Sequence, residues 1–97
     1  MLKSNQRAFL RGQANHLDPI LHVGKGGLSD TVTRQADDAL TAHELLKGRV
    51  LETAPQSARE VAEALAAAVS AEVVCTIGRT FVLYRRNLQD PIILLPR

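Results

Sequence analysis

Apolar and polar positions along the chain follow two periods, and the switches between them mark out seven elements. Phe9, Leu10, Gln13 and Leu17 fall on one side of a 3.6-residue period, which predicts a helix over residues 4–17. Lys3, Arg7 and Arg11 recur every four residues along an adjacent stripe, with no acidic residue interleaved. Asp18-Pro19 closes this helix, because a residue before proline avoids the helical region. Ile20 to Val23 is a short apolar run and reads as a strand. Ser29 is a good N-cap and Asp30 suits the first turn, so a second helix is expected to run to about His43. Its inner face comprises Val32, Ala36, Ala39, Leu40 and His43, with Arg34, Asp37 and Asp38 in water.

From Leu45 to Leu51 the period changes to two. Leu46 and Val50 point one way with Gly48 between them, and Lys47 and Arg49 point the other. Ser57-Ala58-Arg59-Glu60 is a capping box that opens a third, alanine-rich helix to about Ser70, packing through Val61, Ala64, Leu65 and Ala68. Two further strands are expected over residues 72–77 and 80–86, joined by a tight hairpin at Gly78-Arg79. From Asn87 an extended apolar tail runs between Pro91 and Pro96. The order αβαβαββ predicts an α/β fold with three helices and a four-stranded mixed sheet. Strands separated by helices favour parallel pairing, and the last two favour antiparallel pairing. Residues 1–86 then form one domain and residues 87–97 a C-terminal extension.

Composition adds limits. The chain has 97 residues, 45% hydrophobic and 23% charged, which suits one modest core. Aromatics number only Phe9, Phe81 and Tyr84, which argues against a base-stacking sheet. A net charge of +2 is too small to imply nucleic acid by itself, but its distribution is uneven. Residues 1–29 hold Lys3, Arg7, Arg11 and Lys25 against Asp18 alone, while the remainder is slightly acidic. Cys75 is the only cysteine, which excludes an internal disulfide and fits a reducing compartment, so the cytoplasm is the expected location. No apolar run is long enough for a bilayer, and no membrane association is expected.

Candidate chemistry concentrates in Val23-Gly24-Lys25-Gly26-Gly27-Leu28-Ser29, between a strand and a helix. Glycines let backbone N–H groups turn outward, the helix N-terminus adds partial positive charge, and Lys25 adds a full one. Such a loop suits phosphate. It is too short for a Walker A motif and lacks the dinucleotide fingerprint. His16, His22 and His43 sit on different elements without metal-ligand spacing, and no catalytic triad order stands out, so neither a metal, a cofactor nor an enzyme activity is expected. His22 lies beside the loop and is placed to touch a ligand. What remains is a GxxG loop of the kind that KH-type modules use to clamp a nucleic-acid backbone.

Four blocks carry a wider likeness: Gln6-Arg7-Ala8-Phe9-Leu10-Arg11, Val23-Gly24-Lys25-Gly26-Gly27-Leu28, Ala42-His43-Glu44-Leu45-Leu46-Lys47, and Ile77-Gly78-Arg79 with Val82-Leu83-Tyr84-Arg85. Over residues 2–86 the chain resembles the bacterial stand-alone CRM domains of the YhbY family. That resemblance implies a fold similar to the C-terminal domain of bacterial translation initiation factor three. It also implies RNA binding on precursors of the large ribosomal subunit. The implied RNA surface is Gly24, Lys25, Gly26 and Gly27, with Arg7, Arg11 and Lys47; Arg49 shares the strand face of Lys47 and extends it. The chain departs from the family pattern at Gly48, where a branched aliphatic is usual, and a glycine there is expected to weaken the strand and thin the core. The partner this implies is thus RNA, specifically large-subunit rRNA in pre-ribosomal particles, with no small-molecule substrate expected. The rival reading is a protein-interaction module that docks on a ribosomal protein through the apolar tail, Ile92 to Leu95. A third is an enzyme using the loop as a cradle for a phosphorylated small molecule.

Overall fold

A computed structural model of the chain describes residues 2–96; Met1 and Arg97, the outer ends of the two expected units, lie outside the described residues. The elements follow the expected order: α1 (Ser4–Ala14), β1 (Leu21–Val23), α2 (Asp30–His43), β2 (Leu45–Val50), α3 (Ala58–Val69), β3 (Glu72–Ile77) and β4 (Thr80–Tyr84). The sheet runs β1-β2-β4-β3, with β1 parallel to β2 and β4 antiparallel to both its neighbours. A two-residue turn at Gly78-Arg79 joins β3 to β4, with Gly78 at φ +58°. The last strand in the chain is therefore a central one.

Alternation along the strands separates two cores. Leu21, Val23, Leu46, Val50, Phe81 and Leu83 face α2 and α3. Leu45, Val74, Val82 and Tyr84 face the other way, against Leu2, Leu10 and Ala14 at α1. The Ser29 hydroxyl accepts the Val32 N–H (3.3 Å), as its position before α2 predicts. The capping box of α3 is complete: Ser57 Oγ accepts the Glu60 N–H (3.2 Å) and Glu60 Oε1 accepts the Ser57 N–H (3.0 Å).

Several expectations about faces need correction. Helix α1 ends at Ala14 rather than Leu17, because the His16 and Leu17 N–H groups bond back three residues, to Gln13 and Ala14, and tighten the last turn. Phe9 and Leu17 are exposed, and the buried side of α1 is Leu10 and Ala14. His43 is exposed; the residue carried inward at the end of α2 is Glu44, at φ +64°. Ala64 and Ala68 are exposed, whereas Ala58, Ala62 and Ala66 join Val61, Leu65 and Val69 in the core. This wide stripe touches both the sheet and α2, and alanine methyls let the helices approach closely. Asp37 is not simply solvated: its carboxylate takes Arg85 Nη1 at 2.6 Å, and Arg85 Nη1 also donates to the Val69 carbonyl (2.8 Å). Gly48 does not thin the core. It pairs with Phe81 across the strands, and a Cβ there would lie 2.3 Å from Phe81 Cζ, so the ring fills the space a side chain would take.

Beyond Tyr84 the described residues carry no regular element, yet they are tied down. Glu44 is fully buried, and its Oε1 accepts the N–H groups of Ile92 (2.8 Å) and Ile93 (2.6 Å) while Oε2 accepts that of Asn87 (2.6 Å). Ile93 and Leu95 pack on the α1 side of the sheet, and Gln6 Nε2 donates to the Pro96 carbonyl (2.9 Å). Leu88, Ile92 and Leu94 point outward.

Candidate nucleic-acid interface

Three connections gather at one end of the sheet. The loop 24–29 leaves the C-terminal end of β1, residues 51–57 leave that of β2, and the β3–β4 hairpin turns there as well. Backbone bonds lock them together: the Leu51 N–H donates to the Val23 carbonyl (2.8 Å) and the Val50 N–H to the Arg79 carbonyl (2.7 Å).

The glycine loop is a tight turn closed by the Gly27 N–H on the Gly24 carbonyl (2.9 Å). Its glycines have different reasons. Gly27 is buried at φ +63°, and a Cβ there would lie 2.7 Å from Gln56 Oε1 and 3.0 Å from Pro55 Cγ. Only glycine combines that dihedral with that proximity, so Gly27 shapes the loop from within. At Gly24 a Cβ would meet Leu51 Cδ1 at 3.4 Å, an ordinary contact. Gly26 has open space around its Cβ position, and Lys25 is exposed. Lys25 and Gly26 are thus the part of the loop open to solvent.

The α1 side of the sheet carries further cations. Registered pairing aligns His22, Arg49, Thr80 and Ile77 in one row across all four strands, and Lys47, Val82 and Cys75 in the next. Because α1 ends at Ala14, it covers the second row and leaves the first open; His22, Arg49 and Ile77 are exposed. Lys47 Nζ donates to the Ala14 carbonyl (3.3 Å), tying β2 to the C-terminal end of α1. Arg11 is exposed at the edge of this helix end. Burial pushes the Cys75 thiol above its ordinary value, and Arg11, Lys47 and Arg7 pull against that shift, so the three cations share one neighbourhood.

Arg7 differs from its helix neighbour. Its Nη1 donates to the carbonyls of Val73 and Val74, beside the register shift in β3, and the side chain is half-buried. There it satisfies backbone acceptors at a bulge. Arg11, Lys47 and Arg49 lie on the α1 side of the sheet, and Arg7 is turned to the β3 carbonyls. Arg79 at the hairpin tip was not among the residues singled out in the sequence, because only the strand order brings that turn beside the loop. Its guanidinium lies 3.7 Å from Glu52, an exposed pair. Among the described residues no three His, Cys, Asp or Glu side chains gather to hold a metal ion, and no helix is long and apolar enough to cross a membrane.

The chain is thus a small α/β domain with an exposed glycine turn at one end of its sheet and cations on the sheet face that α1 partly covers. Comparison with known proteins gives the family: residues 2–85 match the CRS1 / YhbY (CRM) domain model, and the chain belongs to that family. A Bacillus subtilis protein named "Probable RNA-binding protein YqeI" is 44% identical over 96 residues, spanning 99% of this chain and all of the relative. A Haemophilus influenzae protein named "RNA-binding protein" is 35% identical over 96 residues, spanning 99% of this chain and 96% of its own length. The solution structure of the hypothetical protein SAV1595 from Staphylococcus aureus superposes with a TM-score of 0.82 at 38% identity, covering 99% of this chain and all of that one.

Proposed function

We propose that this chain is an RNA-binding protein that grips the sugar-phosphate backbone of large-subunit rRNA in precursor particles and assists their assembly. The observation that carries the reading is the exposed turn of Lys25 and Gly26 at one end of a sheet whose α1 side carries Arg11, Lys47 and Arg49. Loop N–H groups and the α2 N-terminus meet phosphate, Lys25 neutralises it, and the sheet-face cations extend the track. Such contacts position an RNA with little base reading, so the shape of a structured element supplies selectivity. The names of the relatives and the family match support RNA as the ligand. The ribosomal role rests on the family resemblance. The chain acts as a binder and not as an enzyme in this reading, within the cytoplasm. The rival, a tail that docks on a ribosomal protein, is weaker because Ile93 and Leu95 already pack on the chain's own sheet.

The test is Lys25→Glu, measured by fluorescence anisotropy with a structured rRNA fragment. Affinity is expected to fall about 10- to 100-fold at moderate salt through loss of one phosphate contact and a new repulsion. Because Lys25 is exposed, the melting temperature should stay within a degree or two of the parent. Gly26→Asp puts a carboxylate into open space and should weaken binding similarly without unfolding. Parental affinity in both variants overturns the loop as the RNA contact.

A further inference from the structure

A cleft of about 220 Å³ lies where α1 stops short of the sheet, and the proposed function gives it no role. Its floor is apolar: Ala14 from α1 and Val82 from β4, with Ile77 at the open side. Its rim is polar: Arg11 and Asn15 from the last turn and cap of α1, Lys47 from β2 and Thr80 from β4. No carboxylate lines it. We infer that this cleft receives one unstacked nucleotide of the bound RNA, its base against Ala14 and Val82 and its phosphate between Arg11 and Lys47.

Five features fit that occupant. Pockets for drug-sized molecules begin near 300 Å³, so this one suits a single base rather than a larger cofactor. The Arg11 guanidinium is planar and has no hydrogen-bond partner among the described residues, so it is free to lie over a base as an aromatic ring would. That matters in a chain with three aromatic residues, none of them in the cleft. Lys47 has three N–H donors and spends one on the Ala14 carbonyl, which leaves others for a phosphate oxygen. Asn15 brings an amide donor and acceptor that match base edges. The cleft also adjoins the row of His22, Arg49 and Thr80, of which His22 and Arg49 are exposed, so in this proposal one strand of RNA passes from the glycine turn across Arg49 into it.

Cys75, the only cysteine, lies in the cleft wall and reports on its occupancy. The inference rests on the RNA-binding reading, so binding of a short single-stranded RNA of mixed sequence is first followed by anisotropy. Alkylation of Cys75 by iodoacetamide at alkaline pH is then timed with and without that RNA. At an RNA concentration ten times the Kd, an occluded thiol should react about tenfold more slowly. The reciprocal measurement uses protein already alkylated with N-ethylmaleimide: the uncharged adduct fills the cleft, and affinity should drop about fivefold or more. Arg11→Lys keeps the charge and removes the planar group, and should lower affinity about fivefold at an unchanged salt slope. RNA that binds while the thiol stays equally reactive, or adduct and Arg11→Lys protein that both bind at full strength, overturns the nucleotide subsite and leaves the loop reading intact. Absence of saturable binding by unmodified protein overturns both.

Discussion

The Glu44 carboxylate is 0% exposed and ionised at neutral pH. Burial raises its pKa, but N–H groups from Asn87, Ile93 and Ile92 and the charge of Arg86 lower it further, to a net value below the ordinary 4.5. The folded-state pKa is depressed, so the stability this group contributes is full above the unfolded value and is lost as pH falls below about 4.5 through the folded one. Glu44→Gln keeps the two acceptor bonds of one oxygen but turns an N–H₂ toward the Asn87 N–H. It should cost about 2 kcal/mol in urea unfolding and speed hydrogen exchange at Ile92 and Ile93. It should also flatten the acid limb of the stability curve; an unchanged limb would show that Glu44 is not the group that titrates. None of this is legible locally. Glu44 follows a helix and precedes a strand, and its partners lie 43 to 49 residues onward. The glycine loop was easier to locate because its residue types are concentrated in sequence. The division between Gly27, needed for packing, and Gly26, facing outward, depends on Pro55 and Gln56 in another connection.

At the scale of elements, helices and strands could be read because their limits carry local chemistry. Ser29 and the Ser57–Glu60 pair act where their positions predict, and Gly78 turns the hairpin. Faces were harder. In α3, alanines lie on both sides, so the pattern holds little contrast and the buried stripe extends to Ala58, Ala62 and Ala66. Gly48 shows a second limit: alternation gives its face but not its cross-strand partner. Phe81 occupies the glycine's side-chain space, so Gly48→Ala must displace the ring. The expected cost is about 1–3 kcal/mol, read from the urea midpoint. In the background Phe81→Leu, whose smaller side chain yields that space, the same change should cost measurably less. Equal costs in the two backgrounds would disprove the glycine–ring contact.

For the whole molecule, the charge excess in residues 1–29 points to the region of the proposed surface but covers only part of it. Lys47, Arg49 and Arg79 join it through the order β1-β2-β4-β3, which places distant segments at one sheet end. Arg7, by contrast, shares the helix stripe with Arg11 in sequence but is drawn to the β3 carbonyls by a bulge that no periodicity reveals. If Arg11, Lys25, Lys47 and Arg49 each neutralise one phosphate of single-stranded RNA, log K should fall against log salt with a slope of about −3. A slope near zero would exclude this surface as a phosphate track. The strand order also governs how the molecule is made. Thr80–Tyr84 are the last sheet residues to leave a ribosome, yet they fill the gap between β2 and β3. Until they emerge, a nascent chain holds β2 with one open edge and β3 with no neighbour, and open edges invite wrong pairing. The full sheet can therefore not be built strand by strand in chain order: its closure waits until Thr80–Tyr84 have emerged.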